Sequence, residues 1–248
     1  MVSRYTAADL GVLTRDEVGR FAPGGEGDPA ADITLAWELL YRLEPELYDR
    51  LVSAERLHPG VLEWLPHHAD RIVEVGAGAG RLTLELIGRA REVVAIEPAT
   101  PLRQILTRKL RKTDHGDRAR VIPGFFDALP VVSGCADLVV ACSAFTPAPG
   151  HGGEAGLAEM ERVCRPGGCV AIVWPNHLRW LAAHGYEYVC FAGPMAVEFA
   201  SHQEAVEMAR IFYPGAAAEV HRRGQRRVPY DVLGINPPRD LAFKTVEP

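Results

Sequence analysis

Glycines at 76, 78 and 80 alternate with Ala77 and Ala79, and Glu74 stands two residues before the first of them. The apolar run 72–75 leads into the loop, and a helix-forming run follows from Arg81. A strand, a glycine-rich turn and a helix start in that order form a ligand cradle. Glycine lets the backbone turn tightly and approach a bound molecule, and the free N–H groups of the helix start favour negative charge. Dinucleotides, phosphates and adenosyl compounds all fit such a cradle. The dinucleotide fingerprint G-x-G-x-x-G/A, counted from Gly76, ends on Arg81, which breaks it. No Lys followed by Ser or Thr closes the loop, as a phosphate-binding P-loop requires. The Glu74 carboxylate repels a pyrophosphate and suits a ligand with positive charge, such as an amino-acid ammonium group. A second acid, Glu97, ends the apolar run 93–96 about twenty residues after the loop begins. There a carboxylate can accept both hydroxyls of a ribose.

Glu74, Gly76, Gly78 and Gly80 resemble the E/D-x-G-x-G-x-G motif of the class I, Rossmann-like S-adenosylmethionine-dependent methyltransferases. The resemblance runs from about residue 63 to residue 173. It implies S-adenosylmethionine as cofactor, with Gly76, Ala77, Gly78 and Gly80 backing the methionine part and Glu74 helping to hold it. It places Glu97 and Pro98 at the ribose. It also matches Phe126, Asp127 and Ala128 to a stretch whose acid accepts a hydrogen bond from the adenine amino group. Phe126 packs either on that ring or in the core. Ser143 follows the fourth strand of the pattern and joins the expected cofactor site. Residues 161–168 look like the structural R-x-L-x-P-G-G turn, with departures at its hydrophobic positions.

Methyl transfer from a sulfonium has a good, neutral leaving group, so placing the acceptor in line supplies much of the rate. A base is needed only where the acceptor must lose a proton. The acceptor pocket is expected beyond the carboxyl ends of the strands. Catalytic residues stay undefined at this level. His151 and His177 are the weak candidates, because histidine titrates near neutrality, and an exposed loop position is the plainer reading of both. No metal site is expected: residues 141–144 carry no acid of the kind that metal-dependent catechol-type enzymes place there. Asn236, Pro237 and Pro238 are followed by Arg239 near the C-terminus and read as a turn, not as an adenine-amino-group motif. The function expected is transfer of methyl to a small-molecule acceptor. The alternatives are a protein or RNA methyltransferase, or a non-catalytic module that binds S-adenosylmethionine.

These residues need a scaffold that brings strand ends together. Short apolar runs at 72–75, 93–96, 121–122, 138–142 and 169–174 alternate with helical segments that begin near Arg81, Pro101 and Gly153. Such alternation predicts an α/β fold: a doubly wound, mostly parallel seven-stranded sheet with an antiparallel last strand and helices on both faces. Residues 166–168 are expected to end the third helix. Beyond 174, a helix is predicted over 201–213, opened by a capping box at Ser201 and Glu204, and closing strands over 228–233 and 241–246. Ahead of the sheet, residues 1–60 read as an N-terminal helical extension or lid and 61–248 as the cofactor-binding domain. Helices are expected over 33–43 and from Pro45, with a hinge at 22–31. The helices around Trp37, Tyr41 and Tyr48 are expected to cover the acceptor pocket, or to pack on the sheet or in a homodimer contact.

Composition limits the partners. The 248 residues carry a formal charge of −5, and 48% are apolar. A chain that wraps a phosphate backbone usually has a basic excess, so nucleic acid is disfavoured as a partner. Five cysteines, with no C-x-x-C pair, argue against a disulfide framework. The absence of an apolar run long enough to span a bilayer argues against a membrane partner. A reducing, cytoplasmic setting is the expectation.

Overall fold

The computed structural model describes residues 4–22, 24, 27–28 and 32–247. The expected hinge at 22–31 therefore falls partly outside the described residues, as does Pro29, where the expected lid would end.

The chain opens with a short 3₁₀ turn at Ala7–Val12 and helices α1 (Arg15–Phe21), α2 (Ile33–Leu43), α3 (Pro45–Ala54) and α4 (Pro59–Trp64). Asp32 caps α2 by accepting from the N–H groups of Thr34 and Leu35. Pro45 sits in the first turn of α3, where its missing N–H costs nothing. Both helices match the sequence expectation.

Strands β1 (Ala69–Val75), β2 (Ala90–Ile96), β3 (Ala119–Ile122), β4 (Ala136–Cys142) and β5 (Cys164–Val173) then alternate with α5 (Thr83–Leu86), α6 (Thr100–Leu110) and α7 (Gly153–Val163). α8 (Leu178–Ala183) leads to β6 (Glu187–Cys190). An inserted segment follows: β7 (Ala196–Glu198), α9 (His202–Phe212), α10 (Ala217–Arg223), β8 (Arg227–Pro229) and α11 (Tyr230–Leu233). β9 (Asp240–Thr245) closes the chain. The main sheet has seven strands in the order β3-β2-β1-β4-β5-β9-β6. β1 to β5 pair in parallel, and β9 runs antiparallel between β5 and β6.

Alternate residues of the central strands feed two cores. Ile72, Val93, Ala95, Leu138 and Val140 pack with Val61 of α4, Leu86 of α5 and Leu106 of α6 on one face. Val73, Val94, Ile96, Val139 and Ala141 pack with Leu157 and Met160 of α7 and Leu181 of α8 on the other. Burial on both faces explains why these runs are continuously apolar. A further core lies off the sheet. It joins Tyr5, Leu10, Leu13 and Phe21 of the N-terminal segment to Val197, Phe199, Met208 and Val220 of the insertion.

Several sequence expectations need correction. Residues 228–233 do not form a strand of the sheet. β8 spans three residues and pairs with β7 in a separate two-stranded ribbon, and residues 230–233 are helical. Tyr230 and Leu233, three apart, are both buried, a helical spacing that six residues beside Pro229 are too few to display. β6 escaped notice because it is a short edge strand with mostly exposed residues. Trp174 lies past the end of β5 with φ +54°. Residues 166–168 fall in the irregular start of β5, after α7 has already ended at Val163.

Candidate functional site

The carboxyl ends of β1 to β4 meet at the glycine loop. Gly76, Gly78 and Gly80 have φ of +71°, +55° and +96°, the left-handed region that glycine adopts without strain. Gly76 N and Ala77 N both donate to Ile96 O, at 2.9 and 3.0 Å, which ties the loop to the end of β2. A side chain at Gly80 would meet Leu106 of α6 at 2.5 Å, so that glycine serves helix packing.

Glu97 stands directly behind the loop. One carboxylate oxygen accepts from Gly78 N at 2.9 Å and the other from Ala99 N at 2.8 Å. The residue is 5% exposed. Burial pushes its carboxyl up to about 7, although the two backbone N–H groups pull the other way. Each oxygen keeps a lone pair for a further donor. Glu74 is more deeply enclosed, with the Thr83 hydroxyl donating to it at 2.5 Å. Burial pushes its carboxyl up to about 8, against the opposing effects of the Thr83 bond and the Arg81 charge.

The β3–β4 loop brings the other expected residues alongside. Phe126 lies against Gly76, and its ring meets Phe145 edge-on at 5.1 Å. Asp127 is held by Arg20 of α1 at 2.6 Å, while the Arg20 guanidinium lies 4.3 Å over the Phe125 ring. Ala128 is exposed and Pro98 half-buried. The Pro98 carbonyl accepts from Arg103 at 2.6 Å. Ser143 follows β4 with φ +55°, its N–H donating to Val173 O at 2.9 Å. Unusual backbone in two bulkier residues, Ser143 and Trp174, is thus confined to the strand ends that face the loop, as at many functional sites.

The histidine candidates separate. His151 is not an exposed loop residue. Its Nε2 lies 3.6 Å from the Glu38 carboxylate, and its ring meets Phe21 at 6.0 Å. Contacts from α1 and α2 enclose it. His177 is exposed at the start of α8.

The helices around Trp37, Tyr41 and Tyr48 were expected as a cover, as sheet packing or as a dimer contact, but the partners of their side chains were not named. Tyr48 sets its hydroxyl 3.3 Å from where a side chain at Gly78 would begin, and Tyr41 packs on it at 4.7 Å. Glu38, Arg42 and Glu17 form an ion-paired chain over the same end of the cleft, at 2.5 and 2.6 Å. The Tyr48–Gly78 and Arg42–Glu17 contacts join residues far apart in the chain, and no local pattern announces them.

The seven-stranded order with β9 antiparallel, and an acid behind an alternating glycine loop, are the pattern the resemblance implied. Residues 72–168 match a family model described as a methyltransferase domain. That match spans less than half of the chain, and it shows similarity to methyltransferases over that stretch. An uncharacterized methyltransferase of Mycobacterium tuberculosis is 31% identical over 134 residues, 51% of this chain and 50% of the relative. The demethylmenaquinone methyltransferase of Beutenbergia cavernae is 29% identical over 65% of this chain and 68% of its own. The chain thus spans about half the length of several of the curated relatives it matches. Among solved structures, a chain from the complex of the Haloferax volcanii Trm112 methyltransferase activator with a methyltransferase superposes with a TM-score of 0.53. It is 16% identical over 84% of this chain and 96% of that one, a likeness of fold.

Among the described residues, no group of three or more His, Cys, Asp or Glu side chains is placed to hold a metal ion, and no helix is long and apolar enough to cross a membrane.

Proposed function

We propose that this chain binds S-adenosylmethionine at the glycine loop and transfers its methyl group to a small-molecule acceptor. The observation that carries the cofactor reading is the Glu97 carboxylate fixed behind Gly78, buried yet with lone pairs to spare. In this reading the Gly76–Gly78 backbone faces the amino-acid part with Glu74 enclosed behind it, and Glu97 and Pro98 take the ribose. Asp127 and Ala128 border the base, and Ser143 lies beside the reacting end. The cofactor brings an electrophilic methyl on a sulfonium; the chain's part is to bind, orient and exclude water.

A small acceptor is favoured because the chain carries a formal charge of −5 and several of its clustered surface cations are ion-paired. Arg108 pairs with Glu46, and Lys109 with Asp49. Arg222 and Arg223 pair with Glu219, and Arg226 with Glu198. A phosphate backbone would need unpaired cations. The N-terminal helices act as a cover in this proposal, with α1 over Asp127 and α2 over Glu97.

Calorimetric titration with S-adenosylmethionine, its demethylated product S-adenosylhomocysteine and NAD tests the cofactor reading. The first two should bind and NAD should not. NAD binding without either adenosyl ligand would overturn it.

A further inference from the structure

Past the glycine loop, towards β5, lies a cluster that the cofactor cradle does not use. Arg81 donates to Glu55 at 2.9 Å, and the Tyr213 hydroxyl donates to the other Glu55 oxygen at 2.7 Å. The Arg81 guanidinium lies 5.1 Å over the Trp174 ring, and Trp174 meets Tyr230 edge-on at 6.2 Å. The cluster has a back and a front. Glu55 and Tyr230 are buried, 5% and 2% exposed. Tyr48, Arg81, Trp174 and Tyr213 stand in front and keep part of their surface open.

Two features of this cluster are costly to the fold alone. The Tyr230 hydroxyl is buried with no hydrogen-bond partner among the described residues, a loss that a phenylalanine would avoid. Trp174, a bulky residue, is held at positive φ. Both turn towards Arg81, and Arg81 follows directly on the loop that cradles the cofactor.

The chemistry of the walls selects a ligand. The side walls are aromatic and suit a flat ring. Glu55 cancels the Arg81 charge, so the cluster has no net charge to attract an ion. What remains unspent is hydrogen-bond donors: the Tyr230 hydroxyl and the Arg81 N–H groups that Glu55 does not take. We infer that Tyr48, Glu55, Arg81, Trp174, Tyr213 and Tyr230 form the acceptor subsite, and that it takes a flat conjugated ring bearing an oxygen that accepts a hydrogen bond. Arg81 and Tyr230 meet that oxygen, Trp174 and Tyr48 flank the ring, and Glu55 positions Arg81 and Tyr213. This assignment rests on the methyltransferase reading above.

The test uses the full chain saturated with S-adenosylhomocysteine and titrated with 2-naphthol, with cyclohexanol as a hydroxyl compound that lacks the flat ring. 2-Naphthol should bind saturably and cyclohexanol should not. Tyr230→Phe should weaken 2-naphthol about tenfold, the equivalent of about 1.4 kcal/mol, while S-adenosylhomocysteine affinity stays within twofold. Its melting temperature should equal or exceed that of the unmodified protein. Trp174→Leu should weaken 2-naphthol as well, which provides a second route should one variant fold poorly. A protein that binds S-adenosylhomocysteine but not 2-naphthol, or binds 2-naphthol equally well in both variants, overturns the subsite alone. A protein that takes up no S-adenosylhomocysteine overturns the methyltransferase reading and the subsite with it.

Discussion

Two carboxylates, Glu74 and Glu97, are buried within reach of one glycine loop, and their partners differ. Glu74 is closed off by Thr83, whereas Glu97 faces backbone N–H groups of the loop itself. On the proposed cofactor reading, Glu97 is therefore the side chain whose loss bears most on a ribose. A hydrogen bond to a charged group is worth roughly 1.5–3 kcal/mol, so Glu97→Ala should weaken S-adenosylhomocysteine about tenfold or more with the circular dichroism spectrum unchanged. An unaltered dissociation constant in calorimetry would rule out the ribose role. Gly78 is the companion case. At φ +55° a branched residue is strained by roughly 1–2 kcal/mol, and its side chain would press on Tyr48 at 3.3 Å. Gly78→Val should abolish binding while the protein stays folded. Retained affinity would mean that the loop does not face the ligand.

Among the elements, α1 and α9 invite contrasting tests. α9 begins at Ser201, whose hydroxyl accepts from Glu204 N at 3.1 Å, while the Glu204 carboxylate reaches back to Ala200 N at 2.6 Å. Ser201→Ala should cost about 1 kcal/mol of stability in urea denaturation, with cofactor affinity untouched. α1 bears on the cleft instead. Deleting the N-terminal segment would uncover Tyr5, Leu10, Leu13 and Phe21, all buried, and would confuse unfolding with loss of a cover. Arg20→Ala is the sharper change, since it releases Asp127 and leaves that core in place. A partly exposed ion pair is worth about 0.2–1 kcal/mol, so stability should hardly move. S-adenosylhomocysteine should associate faster in stopped-flow measurements if α1 covers the adenine end, and an unchanged association rate would reject the cover.

At the scale of the whole molecule, the buried carboxylates tie stability to pH. Both have folded-state values raised above the ordinary carboxylate range, Glu97 to about 7 and Glu74 to about 8. A group raised in this way favours the folded state when protonated. Its contribution is present below the ordinary carboxylate range and is lost as pH rises through about 7 and then about 8. The melting temperature of the cofactor-free protein should fall as pH rises from about 5 to about 8, and Glu97→Gln should remove the part of that fall that ends near pH 7. Ligand affinity should run the other way, because an ionised Glu97 is the better acceptor for ribose hydroxyls. An equal pH slope in the wild-type protein and in Glu97→Gln would remove Glu97 from both effects.

The sheet, its loop and the acid behind it were legible in the residues because their signals are local. A buried parallel strand needs an unbroken apolar run, a tight turn beside a ligand needs glycine, and each sits within a few residues of the next. α3 and α9 were legible for the same reason, through Pro45 and Ser201 at their starts. The insertion between β6 and β9 was misread where it is short: three residues of β8 and four of α11 carry too little periodicity to tell strand from helix. What covers the cleft was decided only by tertiary structure. Arg20 reaches Asp127 across 107 positions and Tyr213 reaches Glu55 across 158. Such contacts form because two amphipathic segments share one core, and a charge or hydroxyl at their rim then meets whatever the packing brings near. The sequence alone determined the sheet, the glycine loop and the acid behind it; packing between the N-terminal helices and the insertion decided what stands over them.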